Sequence, residues 1–363
     1  MVDGEATPAR DPVDIPAPNA IDIDWITRTL PDVRPATVSI APVGTGQLAE
    51  TYRITVGYDG PPHGPATLII KLAAADETSR ETARAWQLYE REVCFYRELA
   101  GRARIDTPRV FATGLAEDGR FFLLMEDLAP ASPGDQIAGI AIDDAHRAMR
   151  EAARLHAAFW AQGEDPALAW LETGKQAQAF YGPEIFRSVW PGFRERYADM
   201  LSEDHVAVCD AFFELYDNYS RPLDRPRCVA HNDFRPDNML FGKGPDKRLT
   251  VVDWQSAGLG FNAVDVAYMI AGAFTPDARH EIEDALLATY HEELVAQGVR
   301  DYSQADLRQD YRHFSFAGIN VAVGAAMLVK RTERGDRLFL TMLDRHVRHV
   351  LDTDALTLLR ERH

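Results

Sequence analysis

Hydrophobic spacing changes character once along this chain, near residues 126–130, and that change limits the folds open to it. Ahead of it, apolar runs of strand length alternate with glycine- and proline-rich turns; behind it, helical spacing dominates. Two β-prone runs, 38–41 and 51–56, flank Gly44-Thr45-Gly46-Gln47, a strand–turn–strand pattern. A loop over 59–65 leads into Thr67-Leu68-Ile69-Ile70-Lys71-Leu72, a helical pattern covers 77–100, and 121–125 is another apolar strand. A short amphipathic helix is expected over 21–30, with Asp22 or Asp24 near its start. Beyond Pro130, helices are expected over 143–160, with Asp143 or Asp144 as cap, and near 184–219, 263–273, 277–297, 304–330 and 335–350. Only 227–260 interrupts them with a strand-and-loop pattern. The expectation is an α+β chain of two lobes: a flexible tail over 1–20, a small β-rich N-lobe over 21–128, and a larger, mainly helical C-lobe over 129–363. A chain of 363 residues is long enough to bury two cores.

Composition removes several function classes. A net charge of -17 argues against a nucleic-acid partner, which calls for clustered Lys and Arg. It is compatible with a cationic small substrate, although acidity mostly serves solubility. Cys94, Cys209 and Cys228 are scattered, so neither a zinc site nor a disulfide framework is expected. The first residues lack the pattern of a secretory signal, and the longest apolar stretch, 317–329, is too short to span a bilayer. Asn218-Tyr219-Ser220 therefore reads as an incidental glycosylation match. The expectation is a cytoplasmic protein with no membrane partner, as a monomer or homodimer. Serine-elbow, His-Glu-x-x-His and Gly-Lys-Ser/Thr phosphate-loop motifs do not occur.

Chemistry concentrates in one stretch. Residues 231–238 read His-Asn-Asp-Phe-Arg-Pro-Asp-Asn, and further on the apolar run Leu249-Thr250-Val251-Val252 leads into Asp253. Phosphoryl transfer needs a carboxylate to orient the acceptor hydroxyl and hard oxygen ligands for magnesium. Asp233 suits the first task, Asn238 and Asp253 the second. Taken singly, either segment could be a surface loop held by Asx turns. Both together, in this order and followed by Gly258 and Asp265, favour the chemical reading.

Lys71 closes an apolar run, either at a solvent-facing strand end or against a buried anion. Glu92 offers the anion, since it falls in the stripe Ala85, Tyr89, Glu92, Val93, Tyr96, Leu99. A carboxylate there needs a cation, because an unpaired buried charge costs several kcal/mol. Gly44 and Gly46 could cover phosphates with backbone N–H groups or form a plain hairpin turn. His156 lies on an apolar helix face with Met149, Ala152 and Trp160 and reads as a core histidine; His231 reads as a brace for its loop.

Assembled, these residues resemble the aminoglycoside phosphotransferase and choline kinase superfamily, with its protein-kinase-like fold, over about residues 35–330. The resemblance implies Asp233 as base, Asn238 and Asp253 on magnesium, and Lys71 with Glu92 at the phosphates of ATP. It implies a hinge at Met125-Glu126-Asp127-Leu128, where Glu126 and Leu128 present backbone to adenine, and ATP bound between the lobes. Asp265 matches the acidic residue that braces the catalytic loop. The Asp-aromatic-Gln form of Asp253-Trp254-Gln255 is similar to the ecdysteroid-kinase-like branch. Asn232 departs from the family's usual glycine. Arg235 stands either at the γ-phosphate or substrate as a catalytic group, or as a loop-bracing charge. The expected partner is a small hydroxylated molecule recognised by 131–142 and the C-terminal helices. Trp170, Tyr181, Trp190 and Phe193 are either core or a wall for a bulky apolar substrate. Rival readings are an antibiotic (aminoglycoside or macrolide) phosphotransferase and a non-catalytic nucleotide-binding protein.

Overall fold

The computed structural model describes residues 14–44, 48–172, 183–243, 247–329 and 331–362. They form two compact units: one runs to Tyr96 and includes Pro108–Asp127, the other holds Arg97–Thr107 and everything from Leu128. The mixed architecture expected, a β-rich front part and a mainly helical remainder, is what the structure contains.

The first unit is an antiparallel five-stranded sheet with helices on both faces. Its strands are β1 (Thr37–Pro42), β2 (Ala49–Gly57), β3 (Thr67–Ala73), β4 (Val110–Leu115) and β5 (Phe121–Glu126), in the order β1-β2-β3-β5-β4. Alternation along β3 sends Leu68, Ile70 and Leu72 to one face, where they meet Trp25 and Ile26 of α1 (Ile23–Thr29). Asp22 caps α1 by accepting from the Trp25 N–H at 2.8 Å. The opposite face carries Leu123 and Met125, packed on Leu88, Tyr89 and Val93. Of the expected tail, 1–13 lie outside the described residues; within 14–20, the Asp14 carbonyl accepts from the Trp25 indole at 3.1 Å.

Two local expectations need correction here. The helix expected over 77–100 is broken: α2 (Glu77–Ala85) and α3 (Leu88–Cys94) meet at Gln87, which takes a left-handed φ of 57°, and Phe95–Leu99 continues as a π-turn. β4 had not been expected at all, because Ala112-Thr113-Gly114 carries little apolar signal. Its Gly114 is required by packing: a Cβ there would lie 2.4 Å from the Phe122 ring.

In the second unit the longer helices are α4 (Ile142–Ala158), α5 (Pro183–Arg196), α6 (Glu203–Glu214), α7 (Ala263–Ala273), α8 (Pro276–Ala296), α9 (Gln304–His313), α10 (Ala317–Leu328), α11 (Glu333–Asp352) and α12 (Ala355–Glu361), with one further short helix at Tyr216–Ser220. The expected 184–219 helix is divided by a fresh start at Ser202, whose side chain forms a capping box with His205. The expected 304–330 helix is interrupted by a 3-10 turn at Phe314–Phe316, and α12 lies beyond the last helix expected. Asp143 and Asp144 sit inside the first turn of α4, where their charges are favoured by the positive end of the helix dipole, and the N-cap is Ala141. Trp190 and Phe193 are core, packed with Phe212, Phe213 and Phe316; Trp170 is half-buried, and Tyr181 lies outside the described residues.

Small sheets carry the loop over 231–238. β7 (Cys228–Ala230) pairs with β10 (Gly258–Gly260), while β6 (Ser132–Pro133), β8 (Met239–Phe241) and β9 (Leu249–Val251) pair in the order β6-β8-β9. β7 delivers the chain to His231, β8 begins immediately after Asn238, and β9 ends two residues before Asp253.

Candidate active site

Asp265, fully buried in the first turn of α7, fixes the loop after β7. Its two oxygens accept the backbone N–H groups of His231 at 2.7 Å and Asn232 at 2.8 Å. Behind it, His156 bonds Asp265 at 3.1 Å through Nε2 and the Tyr290 hydroxyl at 2.8 Å through Nδ1. The expected core histidine is therefore satisfied on both nitrogens, and it holds the carboxylate that holds the loop. Asn232 adopts φ 61°, and its amide donates to the Ser256 carbonyl at 3.0 Å. Asn tolerates this left-handed conformation, which explains how it stands where the family has glycine.

His231 does the bracing expected of it. Nδ1 accepts the Asp233 N–H at 3.3 Å, which leaves Nε2 to carry the proton toward the Val252 carbonyl at 3.1 Å. One ring thus ties the backbone of Asp233 to the residue preceding Asp253. A second tie runs from the Val252 N–H to the Asn238 carbonyl at 3.0 Å. Asp253 itself is held at φ 68°, an uncommon state for a non-glycine residue.

Asp233, Arg235 and Asn238 come into direct contact. The Asn238 amide donates to Asp233 Oδ2 at 2.8 Å and to the Asp233 carbonyl at 2.9 Å. Arg235 Nε forms an ion pair with Oδ1 at 3.0 Å, and the Tyr268 hydroxyl donates to the same oxygen at 3.2 Å. Burial works against the Arg235 charge, but Asp233, Tyr268 and Asp237 outweigh it and push its pKa up. Burial, followed by the Asp233 charge, pushes the Tyr268 phenol well above its usual range, so it stays a donor.

With its amide nitrogen committed to Asp233, Asn238 has a carbonyl oxygen to offer a cation, and Asp253 adds a carboxylate. Such a set suits magnesium, which usually takes one or two protein oxygens and completes its shell with substrate phosphates and water. Among the described residues no cluster of three or more His, Cys, Asp or Glu forms a fuller metal cage.

The 131–142 segment is anchored onto this loop. The Gln136 N–H donates to Asp237 Oδ2 at 2.9 Å, and Arg235 reaches the Gln136 side-chain oxygen at 3.4 Å. From α11, Arg345 donates to the carbonyls of Gln136 and Gly272 at 2.6 Å and of Ile137 at 3.0 Å. A cavity of about 490 Å³ opens beside the anchor, lined by Asp135, Ile137, Ala138, Glu333, Arg334 and Arg337. Arg334 also meets Asp237 at 3.2 Å.

In the first unit, the Lys71 ammonium straddles the Glu92 carboxylate at 2.9 and 2.7 Å, with the Glu92 side chain 2% exposed. Of the two readings of Lys71, the buried ion pair is the one found. Gly44 has φ 78° and open space around it; Gly46 lies outside the described residues. Glu126 is joined to Arg109 through its N–H (2.9 Å) and side chain (2.8 Å), and the Leu128 carbonyl accepts from Ala131 at 2.9 Å.

Over residues 39–307 the sequence matches the phosphotransferase enzyme family. The chain belongs to that family. Solved structures with the same fold include choline kinase from Cryptosporidium parvum Iowa II (TM-score 0.57, 10% identity, covering 92% of this chain and 94% of that one). Choline kinase from Streptococcus pneumoniae gives 0.51 and 14% (92% and 96%), and a microcompartment-associated aminopropanol kinase gives 0.51 and 14% (92% and 99%). No curated protein sequence matches this chain. These matches do not distinguish the ecdysteroid-kinase-like branch. In this phosphotransferase, Tyr268 and Arg345 join the candidate site without having been singled out in the sequence, whereas Gln136 lies in the 131–142 segment expected to meet the acceptor. Only Tyr268 left a signal: it lies three residues after Asp265, one helical turn along the same face.

Proposed function

We propose that this phosphotransferase transfers the γ-phosphate of ATP to a hydroxyl of a small molecule, with magnesium as its metal. The observation that carries the reading is the carboxylate of Asp233, fixed in place by Asn238, Arg235 and Tyr268 on a loop locked by Asp265. Asp233 orients the acceptor hydroxyl and takes its proton. The acceptor oxygen bonds to the γ-phosphorus while the bond to the β–γ bridging oxygen breaks, and ADP keeps that electron pair. Asn238 and Asp253 hold magnesium, which when bound neutralises charge on the phosphates. Lys71, held by Glu92, positions the α- and β-phosphates, and main chain at Glu126 and Leu128 reads adenine. Arg235 lies against the reacting carboxylate, so it is placed to steady charge on the transferring group. The acceptor enters beside Gln136 and the cavity next to it.

Calorimetric titration tests the nucleotide and metal assignments. Wild type should bind ATP more tightly with magnesium than without it, and Asp253→Ala should lose that difference. Binding indifferent to magnesium in wild type would remove Asn238 and Asp253 from the metal role.

A further inference from the structure

Asp233 presents two unequal oxygens. Among the described residues Oδ2 has one protein donor, the Asn238 amide at 2.8 Å. Oδ1 is occupied from two sides, by the Tyr268 hydroxyl at 3.2 Å and by Arg235 at 3.0 Å. Each carboxylate oxygen has two lone pairs, so the open one lies on Oδ2. A fifth of the Asp233 side chain remains exposed, which gives an acceptor room to reach it.

Tyr268 is built to hold this asymmetry. Its side chain is buried in the core of the second unit, and its hydroxyl also meets the Met342 sulfur at 3.6 Å. Its ring stacks on His346 with centroids 5.7 Å apart. His346 is fixed in turn by Nδ1 on the Ser315 carbonyl at 3.0 Å, and Gly318 lies flush against its ring. Arg235 differs, because it also reaches Gln136 and keeps a fifth of its side chain exposed. Of the two groups on Oδ1, the tyrosine is the fully buried one, at 2% exposed.

Resting on the phosphotransferase reading, we propose that Tyr268 is a positioning residue: its hydroxyl fixes the plane of the Asp233 carboxylate so that Oδ2 is the oxygen that takes the acceptor's proton. Tyr268 touches neither substrate nor metal in this role. It acts through Asp233, on the step that breaks the acceptor O–H bond and forms the oxygen–phosphorus bond.

The test is Tyr268→Phe, which keeps the ring and its stacking and removes one hydroxyl. Steady-state kinetics would use ATP, magnesium and whichever hydroxylated compound gives the highest wild-type turnover in a panel. The expected result is a kcat lower by roughly tenfold, with KM for both substrates within about twofold and an unchanged melting temperature, the signature of an interaction that matters only in the transition state. A kcat equal to wild type overturns the inference. So does a fall in kcat joined by a rise in both KM values and a lower melting temperature, which would make Tyr268 a packing residue. If wild type phosphorylates no compound in the panel, the underlying phosphotransferase reading fails instead, before the variant is compared.

Discussion

Asp265 shows how much of this site depends on one buried carboxylate that never meets substrate. It satisfies two consecutive N–H groups of the loop after β7 and receives His156 from behind. Replacing it with Asn turns one acceptor oxygen into a donor facing another donor. Each buried group left unsatisfied costs about 1–3 kcal/mol. Asp265→Asn should therefore lower stability by about 2–4 kcal/mol in urea denaturation and reduce turnover by at least about tenfold. Wild-type stability would contradict the loop-locking role. The main residues were legible because each broke a local rule. Glu92 put a charge in an apolar stripe, Lys71 closed an apolar strand, and Asp233, Asn238 and Asp253 clustered hard oxygens at short spacing. Tyr268 broke none: a tyrosine on an apolar helix reads as core, and it is core, with its hydroxyl turned toward Asp233.

At the scale of elements, the strands facing two layers of cover were readable and the irregularities between elements were not. β3 and β5 carry long apolar runs because both faces of the sheet are covered. β4 is an edge strand whose weak signal comes from making room for Phe122, a requirement set by a neighbour distant in sequence. The break at Gln87, in a run without proline or glycine, and the 3-10 turn at Phe314–Phe316 left no turn residue in the sequence at the point of the break. The contact between α10 and α11 gives a direct test. A Cβ on Gly318 would fall 2.0 Å from a His346 ring carbon, so Gly318→Ala forces the helices or the imidazole to move. The expected cost is about 1–3 kcal/mol, the usual range for overpacking, read as a lower melting temperature. An unchanged melt would mean that this interface yields freely. In the first unit, Lys71→Ala removes the ammonium that pairs with a carboxylate 2% exposed. It should weaken ATP binding and destabilise the chain by about 3–5 kcal/mol, whereas an effect on binding alone would show that Glu92 finds other compensation.

Across the whole molecule, buried histidines make stability depend on pH. Burial, reinforced by Arg362, pushes His313 down to about 3, and burial, reinforced by Arg279 and Arg345, pushes His346 down to about 4. Both ordinarily titrate at 6.5, so below that pH the unfolded chain binds protons that the folded chain refuses. Each should remove about 2 kcal/mol of stability between pH 7.5 and 5. Glu151 and Asp310, whose carboxyls burial pushes up, act in the opposite direction. The net expectation is a melting temperature that falls steadily from pH 7 to pH 5, and a flat profile would contradict neutral burial of these rings. The periodicity changes near residues 126–130, whereas Arg97–Thr107 packs with the later unit although it precedes that change, because its contacts are with segments distant in sequence. The cavity beside Gln136 was not legible in the sequence, because it is assembled from segments some two hundred residues apart. The central claim is that Asp233 drives phosphoryl transfer, and the most direct measurement is transfer of labelled γ-phosphate from ATP to a panel of hydroxylated compounds. Wild type should label at least one compound, and Asp233→Ala, folded and still binding ATP, should lower that labelling by at least about a hundredfold. Labelling by Asp233→Ala at the wild-type rate would contradict the account.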